Sequence, residues 1–213
     1  MASEHFFVVM RHSTRLDMSD PDSSWSDKVD RPYDTPISDI PLAESAAEQL
    51  KLYGINVIIT SPLRRCIQTA GIVARALGVR SVVVDFRLTE VMHSVRATGV
   101  TSMSYLSDEE IANELGDSVS VSDINRGNAP PFDEEISDSL NRYKVTFIAL
   151  AKKYANTNAL CISHGNAVEI CGSNFLLPPV LPVEVNECGF IAAVGRTLHS
   201  SNGITLLPED DTW

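Results

Sequence analysis

At 213 residues, 44 % of them apolar and 21 % charged, the chain has the size and apolar content for one domain around a continuous core. Its formal net charge of −11 argues against a nucleic-acid partner, because phosphate backbones are bound by basic surfaces. No apolar run approaches the ~20 residues that cross a bilayer, and the start Met1-Ala2-Ser3-Glu4 lacks the basic region of a secretory signal, so no membrane partner is expected.

Residues 5–10 read as a strand buried on both faces, because the apolar run is continuous rather than alternating. The strand ends in Met10-Arg11-His12-Ser13-Thr14-Arg15, which sets cations and a histidine directly behind it. Residues 14–40 are polar and rich in Asp, Ser and Pro, the composition of a long functional loop. Within it, Arg31-Pro32-Tyr33-Asp34-Thr35-Pro36-Ile37 is stiffened by its prolines and offers Arg31 as a candidate anion ligand. Residues 42–53 are moderately helical, with Gly54 as the stop. A second strand over 55–59 leads into Ser61, which suits an N-cap, and Pro62, which suits the first helical position. The helix behind it spaces Leu63, Cys66, Ile67, Ala70, Val73 and Leu77 on one face and stops at Gly78. A third strand follows over 81–84 with Phe86, and strand–helix–strand in this order implies a right-handed crossover and a parallel sheet.

Residues 92–131 read as a cap or insertion over the carboxyl edge of that sheet, with Ser107-Asp108-Glu109-Glu110 opening a short helix. Asp133 starts a long helix with Ile136, Leu140, Tyr143, Phe147, Leu150 and Tyr154 on one face. Residues 159–162 form the fourth strand, ending in Ser163-His164-Gly165-Asn166 and followed by a helix over 167–175. Two more strands are expected over 190–194 and 204–207, with Asn202-Gly203 favouring a tight hairpin between them. The acidic runs Asp133-Glu134-Glu135 and Glu209-Asp210-Asp211 read as solvated. Cys66, Cys161, Cys171 and Cys188 form no C-x-x-C pair, which points to free thiols in a reducing, cytoplasmic setting rather than to zinc.

The residues just past each strand form a pattern. Arg11, His12 and Arg15 follow the first, Ser61, Arg64 and Arg65 the second, Glu90 the third and His164 the fourth. In a parallel sheet these points share the carboxyl edge, where open α/β folds bind ligands. Two histidines, several arginines and one carboxyl group suit phosphoryl chemistry. Arginines hold the phosphoryl oxygens two at a time, a neutral imidazole attacks phosphorus, and a carboxylic acid protonates the leaving oxygen. Arg65 sits in a first helical turn, where the dipole disfavours a cation, and this favours a ligand-binding role. Other phosphatase and hydrolase schemes fail on spacing, since no cysteine has Arg six places on and no Gly-x-Ser-x-Gly surrounds Ser163.

Arg11-His12-Ser13, Ser61-Pro62-Leu63-Arg64-Arg65-Cys66-Ile67-Gln68-Thr69-Ala70, Leu88-Thr89-Glu90 and Ser163-His164-Gly165 together resemble the ordered motifs of the histidine phosphatase superfamily, the phosphoglycerate-mutase-like enzymes. The resemblance implies an α/β three-layer sandwich with a mostly parallel central sheet, in a single catalytic domain over 1–213. It implies His12 as the phosphorylated nucleophile, Arg11, Arg65 and His164 as phosphate ligands and Glu90 as proton donor, with no metal and no cofactor. Arg15 and the stretch from Arg31 to Ile37 are similar to the subgroup of suppressor-of-T-cell-receptor-signalling phosphatases, which adds Arg15 as a phosphate ligand. The expected activity is hydrolysis of a phosphomonoester, carried by a small molecule or a phosphoprotein. The alternatives are a phosphate-binding pseudophosphatase and a phosphoglycerate-mutase-type transferase. Ser13 stands where the family pattern has glycine, and it would weaken the site if that position required positive φ or close approach to phosphate.

Overall fold

The computed structural model describes residues 5–207, so the tail run Glu209-Asp210-Asp211 and the first four residues lie outside it. Seven strands form one sheet in the order β4-β3-β2-β5-β1-β6-β7. β1 (Phe6–Arg11), β2 (Val57–Thr60), β3 (Ser81–Asp85), β4 (Ser120–Asn125) and β5 (Ala159–Ser163) run parallel, while β6 (Pro182–Val194) and β7 (Thr197–Leu206) add an antiparallel edge.

Side-chain alternation along the central strands makes the three layers. Val8, Met10, Ile58, Leu160 and Ile162 face one side and pack on α2 (Ile40–Leu50), α3 (Arg64–Leu77) and α5 (Asp108–Leu115). Phe7, Val9, Ile59 and Cys161 face the other and pack on α6 (Ile136–Lys153) and α7 (Gly165–Ile170). Burying an aliphatic side chain of this size contributes about 1.5–3 kcal/mol, so a strand that is apolar on both faces belongs at the centre. β1 is placed there, between β5 and β6. No helix among the described residues is long and apolar enough to cross a membrane.

Several expectations change in detail. Residues 14–40 contain a one-turn helix, α1 (Leu16–Ser19), and an isolated bridge between Arg15 and Ile37 closes the loop. Residues 92–131 divide between two places instead of forming one cap. α4 (Met92–Arg96) and the chain after it pack beside Tyr33 and Leu63, α5 packs on α3, and Ser120–Asn125 joins the sheet as β4. The contact of α5 with α3 is close at Gly71, where a Cβ would lie 2.7 Å from the Leu115 carbonyl. On α6 the buried face is Ser139, Tyr143, Thr146, Phe147 and Leu150. Ile136 and Leu140 are exposed, because the inner side of its first turns is taken by polar Ser139 and Arg142 around buried Glu134.

The hairpin joining β6 and β7 turns at Gly195, whose φ is +61°, and not at Asn202-Gly203. Gly203 lies inside β7 opposite a bulge, where a Cβ would come within 3.1 Å of the Gly189 Cα. Close backbone approach and a φ of +61° both call for glycine there.

Candidate active site

The carboxyl ends of β1, β2 and β5 meet where α3 and α7 begin. His12 leaves β1 with its N–H donating to the Ser163 carbonyl (2.9 Å) and its own carbonyl accepting from the Cys188 N–H (3.2 Å), so β5 and β6 both hold it. Its Nδ1 lies 2.6 Å from the Ser13 carbonyl, which can only accept; Nδ1 therefore carries the proton, and the lone pair is on Nε2. Arg65 Nε donates to that Nε2 at 3.1 Å.

Arg65 is wholly buried in the first turn of α3. Its Nη1 donates to the Tyr33 carbonyl (3.1 Å), its Nη2 lies 3.4 Å from His164 Nδ1, and its guanidinium stacks 4.9 Å over the Tyr33 ring. Among the described residues no carboxylate hydrogen-bonds to it, and Glu90 Oε2 stands off at 3.9 Å. A buried cation without a bonded anion is costly, which makes this an environment suited to an anionic ligand.

His164 follows β5, fully buried, with its ring centroid 5.4 Å from that of His12. Ser61 Oγ lies 3.0 Å from its Nε2, and Glu90 Oε2 lies 3.3 Å from its Nδ1. Glu90 Oε1 accepts from the Val91 N–H at 3.0 Å and from Asn166 Nδ2 at 3.5 Å. Burial, then Arg65, lowers both imidazoles well below their ordinary 6.5, so both are neutral at neutral pH. Burial raises the Glu90 carboxyl above 4.5 against the opposing pull of Arg65, the direction that favours a protonated acid.

An open cavity of about 290 Å³ leads down to these groups, lined among others by Arg11, His12, Arg15, Glu90, Ser94 and Asn166. Arg65 and His164 lie behind that lining and reach the cavity through His12 and Glu90. Arg11 and Arg15 stand at its mouth, each held by an acid. Arg11 Nη2 pairs with Glu187 at 2.8 Å, and Arg15 makes a two-point contact with Asp17 at 3.0 and 2.6 Å. A larger cavity, about 500 Å³ and lined by Ile37, Gln68 and Ile72 among others, holds none of these groups.

The structure thus brings His12, Arg65, Glu90 and His164 into contact and sets Arg11 and Arg15 above them. It does not bring Arg31 or Arg64. Arg31 donates to Asp27 and Glu110, and Arg64 to Asp27, so both tie the 14–40 loop down onto the helices. The same ion pair, with the Ser107 cap, pulls the Glu110 carboxyl down to about 2.

Ser61 does not cap α3, because the helix starts only at Arg64 with Leu63 at its N-cap, so neither Ser61 nor Pro62 holds the expected position and the Ser61 hydroxyl lies beside His164. Asp34 supplies the missing acceptor and takes the Arg64 N–H at 2.7 Å, with burial raising its carboxyl to about 6. Tyr33, Asp34 and Asn166 belong to the site without being marked out by the sequence, whereas Ser61 is one of the residues it sets at the strand ends. For the first three the only signals are their places inside the Arg31–Ile37 stretch or beside His164. Ser13, in place of glycine, is not in the left-handed region, because Cys188 is the one non-glycine residue with positive φ among those described. Its N–H donates to Thr69 Oγ1 (3.1 Å) and its hydroxyl to the Asp39 carbonyl (2.6 Å), which turns the side chain away from the histidines.

Comparison with known structures agrees with this fold. A 16 % identical structure, the ecdysone phosphate phosphatase of Bombix mori in complex with tungstate, superposes with a TM-score of 0.70 over 98 % of this chain and 96 % of its own. A phosphoserine phosphatase mutant of Entamoeba histolytica, 17 % identical, gives 0.58 over 93 % and 96 %. A mycobacterial glucosyl-3-phosphoglycerate phosphatase, 18 % identical, gives 0.55 over 98 % of each. No curated protein sequence matches. The family description "Histidine phosphatase superfamily (branch 1)" matches residues 24–184, a stretch that takes in Arg65, Glu90 and His164 and begins after His12. With most of its length matched, the chain belongs to branch 1 of the histidine phosphatase superfamily and is by that membership a phosphoric monoester hydrolase.

Proposed function

We propose that the protein hydrolyses phosphomonoesters without a metal, through a phosphohistidine on His12. The observation that carries this reading is the fixed tautomer of His12. Nδ1 is occupied by the Ser13 carbonyl, so the lone pair is on Nε2, where it accepts from Arg65 Nε until a phosphoryl group takes that donor, and His12 itself lines the cavity. In the first half-reaction Nε2 attacks phosphorus, the P–O ester bond breaks, and the alcohol leaves with the proton of the Glu90 carboxyl. In the second, water attacks the phosphoryl group, the Glu90 carboxylate takes the water proton, and the N–P bond breaks to return neutral His12 and inorganic phosphate. Arg65, with Arg11 and Arg15 once released from their acids, neutralises the oxygens that gain charge, the role a metal plays elsewhere. His164 orients the phosphoryl group and keeps Glu90 beside it.

The substrate is a phosphate monoester, and the cavity volume fits a small molecule. Similar structures are described with phosphoserine or 3-phosphoglyceric acid bound, which supports the same class here. The four buried free cysteines fit a cytoplasmic setting.

Hydrolysis of an aryl phosphate with EDTA present, by the wild type and by His12→Ala, tests this reading. Turnover unaffected by EDTA and reduced on the order of 10⁴-fold in the variant is expected. Equal turnover in both proteins would sink it. Phosphate binding without turnover would instead identify a pseudophosphatase, and phosphoryl exchange between phosphoglycerates a mutase.

A further inference from the structure

Arg142, on α6, has no part in the chemistry above, yet all five of its N–H groups are spent close to it. Nη1 donates to the carbonyls of Arg87 (2.6 Å) and Thr89 (2.8 Å), and Nη2 donates to that of Glu90 (3.3 Å). The remaining donors, Nε and the other Nη2 proton, go to the Glu134 carboxylate at 2.7 and 2.9 Å. Both members of this ion pair are nearly buried, with side-chain exposures of 10 % and 5 %. Glu134 is fixed in turn by the Ser139 hydroxyl, and the guanidinium lies 4.6 Å over the ring of Tyr143. From the same helix the Tyr143 hydroxyl donates to the Thr89 carbonyl at 2.7 Å.

A buried ion pair is seldom retained for stability alone, since its desolvation roughly cancels its attraction. Here the cation is aimed at three carbonyls of one four-residue turn, Arg87 to Glu90, and the last of them belongs to the acid itself. The Glu90 carboxyl has few holds of its own, at the Val91 N–H, at Asn166 and beside His164. Its position in the cavity is therefore set by its backbone.

We propose that Arg142, anchored by Glu134, is the positioning residue for proton donation, gathering the 87–90 turn so that the Glu90 carboxyl meets the leaving oxygen. The inference rests on the reading of Glu90 as the donor. A misplacement of about 1 Å in such a group costs up to ~10²-fold, but only where the donor is needed. Nitrophenolate leaves without a proton, whereas an alkoxide does not.

The test compares kcat/KM for 4-nitrophenyl phosphate and for glycerol 2-phosphate in the wild type, Glu90→Gln, Arg142→Lys, Glu134→Gln and the Glu90→Gln/Arg142→Lys double variant. Lysine keeps a cation against Glu134 but cannot serve three carbonyls. Arg142→Lys is expected to lose about 10- to 100-fold on the alkyl ester and less than about 3-fold on the nitrophenyl ester. Glu134→Gln should show the same bias to a smaller degree, and it decides the matter if Arg142→Lys does not fold. The double variant should be no worse than Glu90→Gln alone, because both act on one proton transfer. Equal losses on both esters in Arg142→Lys or Glu134→Gln, while Glu90→Gln is selective, would make the cluster merely structural and overturn the proposal. If Glu90→Gln itself shows no leaving-group bias, the donor is misassigned and the inference falls with that reading.

Discussion

The floor of the cavity and its mouth are built by opposite means. At and just behind the floor, His12, His164 and Arg65 are almost fully buried, and each is held by backbone at a strand end or a helix start. Among the described residues no carboxylate hydrogen-bonds to Arg65, with Glu90 standing 3.9 Å off, so the floor is preorganised for an anion. At the mouth, Arg11 and Arg15 are partly exposed and already paired with Glu187 and Asp17. On the proposed reading an incoming phosphate displaces those acids, and ion pairs near the surface are worth only about 0–1 kcal/mol. Rigid groups thus sit where charge develops, and exchangeable ones sit where substrate enters.

The contrast breaks most readily at Arg65. Arg65→Lys removes a planar fork that serves His12, Tyr33 and His164 at once, and a loss of about 10²–10³-fold in kcat/KM is expected, with most of it in kcat. An effect under about 10-fold would put the floor on a par with the mouth.

The pH profile comes next in size. His12 must be unprotonated, and its lowered affinity for protons moves the acid limb of kcat/KM below 6.5. Glu90 must be protonated, and its raised affinity for protons moves the alkaline limb upward, so activity falls as pH rises through a point above 4.5. With an alkyl phosphate, Glu90→Gln should lose the alkaline limb and keep the acid one. Retention of both limbs would assign the acid elsewhere.

The smallest effect belongs to the mouth. Glu187→Gln frees Arg11, and KM should fall by up to about 5-fold with kcat little changed. A large drop in kcat would mean that Glu187 orients Arg11 and is more than its counter-ion.

The sequence makes the floor far more legible than the mouth. The continuous run Phe6-Phe7-Val8-Val9 marks a central strand, and whatever follows such a strand arrives at the carboxyl edge. His12, Arg65, Glu90 and His164 are readable for that reason. β4 is not readable: Ser120-Val121-Ser122-Asp123-Ile124-Asn125 is a half-exposed edge strand without a clean apolar alternation. Arg31 looks like an anion ligand although Asp27 stands four residues before it, because the acid that takes both of its Nη groups, Glu110, lies 79 residues away. Ser61 has the composition of a cap, but the acceptor that serves the α3 start is Asp34, 30 residues from Arg64. Asn202-Gly203 is a turn pair spent on a bulge. Each case is one of non-local partners deciding what a locally plausible residue does, and Arg142 is a further instance, 53 residues from Thr89.

The central claim is that the phosphoryl group rests on His12 during turnover. Wild-type enzyme turning over 4-nitrophenyl phosphate, quenched into alkaline denaturant where phosphohistidine survives, is to be digested and its peptides weighed. The account predicts a phosphoryl group on the peptide carrying His12, localised to that residue and absent from His12→Ala. Continued turnover with no phosphopeptide, or with the label on another residue, would contradict it.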